Sequence, residues 1–207
     1  MSSINLDSLK TYHQYDQNDQ YESLLKFGRN FERGFHESQL NPLPIELSQI
    51  SSLLICTDGQ SRYVADFAAS LTPFFLRTPF EIITSFRLPG YTNEKTLTLI
   101  FSTEKNSEEI NSIVSESELK NNPCVRLLPI GETQFLAKNK NLETVEYQNL
   151  PHTLGFLFGF FARLNPATAK TINIEEISTT IEKTVVRLNR EIEEKLKVVN
   201  NPFAILD

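Results

Sequence analysis

Short apolar runs alternate along this chain with segments in which apolar residues recur every three or four positions. The runs have the length of buried strands, and the recurring segments have the spacing of helices with one buried face. The pattern predicts five strands, at 50–56, 80–85, 96–101, 125–128 and 143–147. Strands that alternate with helices over short connections are typical of a parallel sheet covered by helices on both faces.

Five helices are predicted between and around these strands, at 21–35, 63–71, 106–119, 153–164 and 174–199. The prolines at 42 and 44 are expected to end the first helix, and Pro73 and Pro79 are expected to break the chain before the second strand. The helix at 153–164 is apolar on nearly all sides, so we expect it to lie in the core or at a subunit interface.

The last predicted helix carries a continuous apolar seam along one side and charged residues on the other. Its seam begins at Ile174 and repeats at spacings of three and four up to Val199. A seam of this length needs a partner surface, which is either the sheet of the same chain or a second protein chain. Both alternatives stay open at this point.

The pattern as a whole predicts an α/β fold with one five-stranded parallel sheet. A polar arm and the first helix occupy residues 1–40, the α/β domain occupies 41–170, and the long C-terminal helix and tail occupy 171–207.

Composition and charge narrow the function classes. The chain has 207 residues, of which 40% are hydrophobic and 22% charged, as in ordinary globular proteins. A formal net charge of -6 argues against nucleic acid as a partner, because such binding needs a basic surface. No membrane association is expected, since the most apolar stretch, 154–164, is too short to span a bilayer. The polar first 20 residues lack a secretion-signal pattern, which predicts a cytoplasmic protein.

Cysteine and histidine usage gives no indication of a metal or another cofactor. Cys56 and Cys124 each adjoin an apolar run and are expected to be buried free thiols. The chain has three histidines and neither an HxxxH nor a CxxC spacing. We therefore expect no metal site and no cofactor.

Ligands of parallel α/β sheets bind beyond the carboxyl ends of the strands, where helix N-termini offer unpaired N–H groups. Three segments are predicted to lie at that edge, namely 57–61, 102–107 and 150–153. Any ligand chemistry of this chain is therefore expected to involve these three segments.

The order of these segments resembles that of the sugar isomerase (SIS) domain. It is most similar to the amino-terminal half of the bifunctional phosphoglucose/phosphomannose isomerases, which carry G-x-G-G-S, then tyrosine-leucine-proline, then S-Y-S-G-N-T-E-E, then Q-P-R. The corresponding residues here read TDGQS at 57–61, FRLP at 86–89, STEKNSEE at 102–109 and LPH at 150–152. The resemblance extends from about residue 7 to the end of the chain, and it implies a single SIS-type domain.

The resemblance also implies a set of ligand-binding residues: Gly59, Ser61, Ser102, Glu104, Asn106, Ser107 and His152. In that set the serine hydroxyls are expected to hold a sugar phosphate. His152 replaces an arginine of the family pattern, either as a hydrogen-bond donor to the ligand or as a structural histidine at a helix start. Glu104 replaces a serine, and a carboxylate beside a phosphate weakens binding by about 1 to 4 kcal/mol at 4 Å.

No catalytic residue can be carried over from the resembled family. Its catalytic glutamate and histidine lie in a second SIS half, and this chain ends at Asp207, where that half would begin. The expected function is therefore weak binding of a sugar phosphate in a non-catalytic or assisting role. Two alternatives are an aldose–ketose isomerase completed by a partner chain and a structural dimerisation module without a ligand. The C-terminal helices are expected to form the contact with a second copy or a partner chain.

Overall fold

The computed structural model describes residues 24–58, 61–85, 87–101, 108–129, 142–147 and 149–199. The five strands are β1 (Ser52–Thr57), β2 (Phe80–Ile83), β3 (Thr96–Phe101), β4 (Cys124–Pro129) and β5 (Leu142–Tyr147). The helices are α1 (Phe27–Leu40), α2 (Arg62–Phe75), α3 (Glu108–Leu119), α4 (Leu150–Leu164), the short α5 (Pro166–Ala169) and α6 (Ile174–Val199).

All five strands belong to one parallel sheet with the order β2-β1-β3-β4-β5. The prediction of an α/β fold with a five-stranded parallel sheet is therefore confirmed. Strand β3 has the predicted bounds. Its six residues are all buried, and they are apolar residues and threonines without a charged or strongly polar interruption. Strand β2 ends at Ile83 rather than at Ser85, since its edge position gives the last polar residues no second neighbour to pair with.

Helices cover both faces of the sheet. On one face, Val64 and Ala68 of α2 and Phe156 and Phe160 of α4 pack against alternate residues of β1, β3 and β4. On the other face, α3 packs its apolar side against the remaining strand residues. Both cysteines lie buried and free, as expected, and burial raises the pKa of the Cys124 thiol to about 11. These thiols are therefore protonated and unreactive at neutral pH.

Helix α4 lies in the core, which confirms one of the two predicted environments. It begins at Leu150, three residues before the predicted start. The Asn149 side chain accepts a hydrogen bond from the His152 N–H at 3.0 Å, and Pro151 lies in the first turn, where its missing N–H costs nothing. The segment that we predicted as a loop ahead of this helix is therefore its first turn.

Pro73 does not break α2, contrary to the prediction, and the helix continues to Phe75. A proline inside a helix leaves the carbonyl four residues earlier without its N–H donor. Here that carbonyl belongs to Ala69, and the Thr72 hydroxyl donates to it at 2.9 Å. The neighbouring side chain thus compensates for the donor that the proline lacks.

Helix α1 buries three small residues together with one large apolar residue, Phe31. The helix runs to Leu40, beyond the predicted end at residue 35, and the chain then turns at the predicted proline linker. Leu24 and Leu25, which lie within the range predicted for this helix, are exposed. The buried small residues are Gly28, Gly34 and Ser38. They let the backbone of α1 approach its neighbours closely.

The close approach joins α1 to α4 on one side and to α6 on the other. A Cβ atom added at Gly155 of α4 would lie 1.8 Å from the Phe31 carbonyl oxygen, and one at Gly28 would lie 2.2 Å from the Ser178 carbonyl oxygen. The Arg29 N–H also donates to the Glu182 carboxylate at 3.1 Å. Helix α6 thus packs on α1 through Ser178 and Glu182.

The second half of α6 carries exposed apolar side chains. Leu188, which belongs to the seam, is 46% exposed, and Val186 is 57% exposed. Among the helices that the structure describes, none combines the length and the apolar character that crossing a bilayer requires.

Candidate functional site

The corner between β1 and α2 lies at the carboxyl edge of the sheet and holds three polar residues that are almost completely buried. Thr57 ends β1, Asp58 follows it, and Ser61 precedes the first residue of α2. They are 1%, 6% and 0% exposed. Strand β1 lies between β2 and β3 in the sheet and α2 packs over it, so the two described ends of the connection are covered.

Two hydroxyl groups in this corner have unused hydrogen-bonding capacity. Within the described part of the chain, neither Thr57 Oγ1 nor Ser61 Oγ has a hydrogen-bond partner. Ser61 occupies the N-cap position of α2, where serine ordinarily accepts a hydrogen bond from the first turn, but its side chain makes no such bond. Buried polar atoms are ordinarily paired, so two unpaired hydroxyls in one corner indicate a place for a ligand or water.

The Asp58 carboxylate binds the backbone N–H of the N-cap residue, Ser61. Its Oδ1 accepts a hydrogen bond from the Ser61 N–H at 2.8 Å. Burial, and after it the charge of Asp58, raise the pKa of the Tyr63 hydroxyl, which places the negative charge within electrostatic reach of the first turn of α2. The corner therefore contains an anionic side chain at the positive end of a helix dipole.

The N-terminus of α4 is the second described segment at this edge, and its polar groups are largely occupied. The Asn149 carbonyl accepts hydrogen bonds from both the N–H and the hydroxyl of Thr153. The His152 side chain is 1% exposed and points towards α1, where its Nε2 lies 2.8 Å from Glu37 Oε2. Because an ionised carboxylate only accepts hydrogen bonds, Nε2 carries the proton in this contact. Among the described residues Nδ1 has no hydrogen-bond partner.

Glu37 also binds the Arg33 guanidinium. The Arg33 Nε donates to Glu37 Oε1 at 2.8 Å. Burial acts to raise the pKa of Glu37, but the hydrogen bonds and charges of Arg33 and His152 outweigh it, and the pKa lies below its ordinary value of 4.5. The arrangement resembles a structural cross-link between α1 and α4, which agrees with one of the two interpretations of His152.

Replacing Glu37 by alanine is expected to lower the free energy of unfolding by about 1–2 kcal/mol at pH 7, because the buried His152 ring loses its acceptor. A carboxyl whose pKa is lowered in the folded state stabilises the fold above its ordinary pKa, and this stabilisation is lost as the pH falls through the folded pKa. The difference between wild type and Glu37→Ala should therefore shrink below pH 4.5. Urea unfolding at a series of pH values measures it.

Glu32→Ala serves as the matched control for this prediction. Glu32 lies on the same helix and faces the exposed His36 at 3.8 Å. An exposed pair of this kind contributes little, so the control should change stability by less than about 0.5 kcal/mol. An equal loss in both variants, or a loss in Glu37→Ala that persists unchanged at pH 3, would contradict the assignment.

Of the seven ligand-binding residues that the sequence suggested, the structure describes Ser61 and His152. It brings both to the carboxyl edge of the sheet, Ser61 at the start of α2 and His152 in the first turn of α4. The other five lie outside the described residues, and their part in a site stays a prediction: Gly59, Ser102, Glu104, Asn106 and Ser107.

Three residues near this edge were not among the predicted site residues. Thr57 and Asp58 belong to the TDGQS motif at 57–61 but were not assigned a role. Two polar residues at the end of a buried strand could have indicated a site there. Arg126 lies inside β4 and is 2% exposed, and burial lowers the pKa of its guanidinium. It is the one charged residue in the apolar run from Cys124 to Leu128. A single charge within a predicted buried strand could have indicated a candidate functional residue.

The opposite edge of the sheet carries a cleft of about 300 Å³. It lies between the turn before β1, the end of α2 and the end of α4, and its lining is mostly apolar with one cation, Arg77. This cleft is at the amino ends of the strands. It therefore shares no residue with the corner at Thr57, Asp58 and Ser61.

Comparison with known proteins identifies the fold. No protein-family model and no curated protein sequence matches the chain. Solved structures do match. One is the C-terminal domain of glucosamine-fructose-6-phosphate aminotransferase from Francisella tularensis. It has a TM-score of 0.55 and 8% sequence identity, and the match covers 90% of this chain and 57% of that one.

Two further matches are proteins proposed to be phosphosugar isomerases. The one from Clostridium difficile has a TM-score of 0.55 and 13% identity over 86% of this chain and 56% of that one. The one from Salmonella typhimurium has a TM-score of 0.53 and 12% identity over 82% and 53%. The chain thus has the SIS-type fold, and it spans about half the length of these three structures.

Proposed function

We propose that this chain binds a carbohydrate derivative at the carboxyl edge of its sheet and acts in a non-catalytic or assisting role. Its expected ligands are sugar phosphates and related sugars, as in the phosphoglucose/phosphomannose isomerases that the sequence resembles. The observation that carries the proposal is the corner of Thr57 and Ser61, whose buried hydroxyls have no partner in the described chain. The matching structures support it. Two are proteins proposed to be phosphosugar isomerases, and the third is a domain of glucosamine-fructose-6-phosphate aminotransferase.

The non-catalytic role follows from the chemistry of the described edge. Aldose–ketose isomerisation needs a base that removes a proton from one carbon and returns it to the next. Glu37 and His152 bind each other across two helices, and the cysteine thiols are buried and protonated. Asp58 is the remaining carboxylate of the corner, and it already accepts the Ser61 N–H. These groups are therefore suited to stabilising the fold and binding a ligand rather than to transferring a proton.

One preparation of the protein tests binding and turnover together. We expect glucose 6-phosphate, mannose 6-phosphate or the corresponding free sugars to raise the thermal unfolding temperature, since a ligand at 100 times its Kd adds about 2.7 kcal/mol. In the same sample, conversion to fructose 6-phosphate should stay far below the ordinary enzyme range of about 1–10³ per second. Turnover within that range would refute the non-catalytic role.

Ser61→Ala is the matched variant for the binding measurement. The Ser61 hydroxyl has no described partner, so its loss should leave the ligand-free protein within about 0.5 kcal/mol of wild type while reducing the ligand-induced stabilisation. If no sugar or sugar phosphate stabilises either protein, the ligand-free alternative, a structural dimerisation module, replaces the proposal.

We also propose that the chain forms a homodimer through the second half of α6. Leu188 of the apolar seam is 46% exposed, in the half of α6 beyond its contacts with α1. This chain covers 53–57% of each matching structure, so a second copy would supply a counterpart to the remainder. A separate partner chain is the alternative occupant of the same surface.

A further inference from the structure

We infer that the cleft at the amino edge of the sheet binds a small carboxylate with an apolar body, and that Arg77 binds the carboxylate group. The cleft shares no residue with the corner at Thr57 and Ser61, so it is a second site besides that of the proposed function. Its ligand class follows from an apolar lining that contains a single cation.

The apolar lining of this cleft reaches the hydrophobic core. Ile50 and Phe75 line the cleft and belong to the core, and they are 8% and 5% exposed. Leu47, Leu76 and Leu164 also line the cleft and pack against the margin of the same core. An apolar group that enters the cleft would remove its own surface and the surface of these side chains from water, and this burial favours binding.

Arg77 is the one charged residue among the described residues that line the cleft. It is exposed and lies two residues after the end of α2, where a cation complements the negative end of the helix dipole. No hydrogen bond or ion pair joins its guanidinium to another residue that the structure describes. Its N–H donors are therefore available to a ligand, and their planar arrangement matches both oxygens of a carboxylate.

Other arginines on the described helices pair with carboxylates of the chain itself, one helical turn away. These pairs are Arg33 with Glu37, Arg62 with Asp66 and Arg187 with Glu191. By contrast, the described lining of the cleft contains no carboxylate. A ligand carboxylate at Arg77 would meet an opposite charge and no like charge of this lining, so charge complementarity favours an anion over a cation or a neutral molecule.

The other polar groups of the cleft lie near Arg77, at the end of α2. Thr78 is the next residue, and the Asn165 amide nitrogen lies 3.5 Å from the carbonyl oxygen of Phe74 in the last turn of the helix. Three polar side chains are too few to pair with the many hydroxyl groups of a sugar, and unpaired buried hydroxyls oppose binding. They fit one carboxylate whose remainder is aliphatic or aromatic.

The volume of the cleft limits the size of the ligand. A space of about 300 Å³ equals about ten times the volume of a water molecule in the liquid, so it holds about ten non-hydrogen atoms. Hexanoate lies within this limit. Because a ligand of this size gains only a limited free energy per atom, we expect a Kd of about 0.1–10 mM.

Titration of the complete 207-residue chain with hexanoate, hexanol and acetate, followed through the backbone amide signals of Arg77 and Ala167, tests the inference. We expect hexanoate to shift both signals and to bind at least about fivefold more tightly than hexanol, which lacks the charge. Acetate has the charge without the apolar body and should bind at least about tenfold more weakly than hexanoate.

Arg77→Gln removes the cation and leaves the apolar lining in place. Hexanoate affinity should fall at least about fivefold, while hexanol affinity stays within about twofold of wild type. Arg87→Gln is the control with the same change in net charge, since Arg87 is exposed in the segment after the carboxyl end of β2, and it should behave as wild type. An equal loss of hexanoate affinity in both variants, or hexanol binding as tight as hexanoate in the wild type, would overturn the inference.

Ala167→Phe keeps the test decisive if Arg77→Gln does not fold. Ala167 is exposed and lines the cleft, so a larger side chain at this position can fill the space without displacing the core. Binding of hexanoate and hexanol, followed at Arg77, should weaken more than about tenfold in this variant. Hexanoate affinity that remains unchanged in Ala167→Phe, or the absence of any shift of the wild-type cleft signals in saturating hexanoate, refutes the site.

Discussion

Replacing Gly155 by alanine is expected to lower the free energy of unfolding by about 3 kcal/mol, although alanine is the better helix former by about 1 kcal/mol. The reason is the backbone of α1. The added Cβ would lie 1.8 Å from the Phe31 carbonyl oxygen and 2.8 Å from the Phe31 Cα, and neither atom can move unless the two helices separate. Urea unfolding followed by circular dichroism measures the change.

Gly90→Ala makes the same chemical change where the structure offers space. No heavy atom lies within 4 Å of a Cβ added at Gly90, so this variant should stay within about 0.5 kcal/mol of wild type. If Gly155→Ala instead gains stability, as helix propensity alone predicts, α1 and α4 do not pack as closely as described.

Replacing Leu188 by aspartate is expected to convert a dimer into a monomer. Each chain would contribute this side chain to a self-complementary contact, as a two-fold interface requires. Burying an aliphatic side chain contributes about 1.5–3 kcal/mol, so losing one from each copy raises the dissociation constant by about two orders of magnitude or more. Sedimentation velocity across a concentration series shows the change directly.

Leu119→Asp is the matched control, since Leu119 is 85% exposed at the end of α3, away from α6. It should sediment as wild type does. A wild-type protein that remains monomeric at high concentration, or a dimer that survives Leu188→Asp, would contradict the proposed contact.

The sequence predicted the sheet well because β1, β3 and β4 are apolar runs that are buried along most of their length. Strand β3 and helix α6 match their predicted bounds, since an uninterrupted buried run and a long heptad-like seam leave little ambiguity. Helix α1 was predicted less well. Its buried face consists largely of glycine and serine, and a search for large apolar residues cannot recognise a contact that depends on their absence.

The candidate site was predictable in place but not in chemistry. A strand followed by a short turn and a helix locates Ser61 at the carboxyl edge without any structure. The hydrogen bond from the Ser61 N–H to the Asp58 carboxylate depends on geometry that the sequence pattern does not contain. The contact between Glu37 and His152 joins residues that are 115 positions apart, and a local sequence pattern cannot predict such a pair.

A crystal structure of the protein grown with a saturating sugar ligand tests the central claim most directly. The account predicts a sugar with hydroxyl groups within hydrogen-bond distance of Ser61 Oγ or Thr57 Oγ1. A sugar bound in the cleft at the opposite edge, beside Arg77, would contradict it.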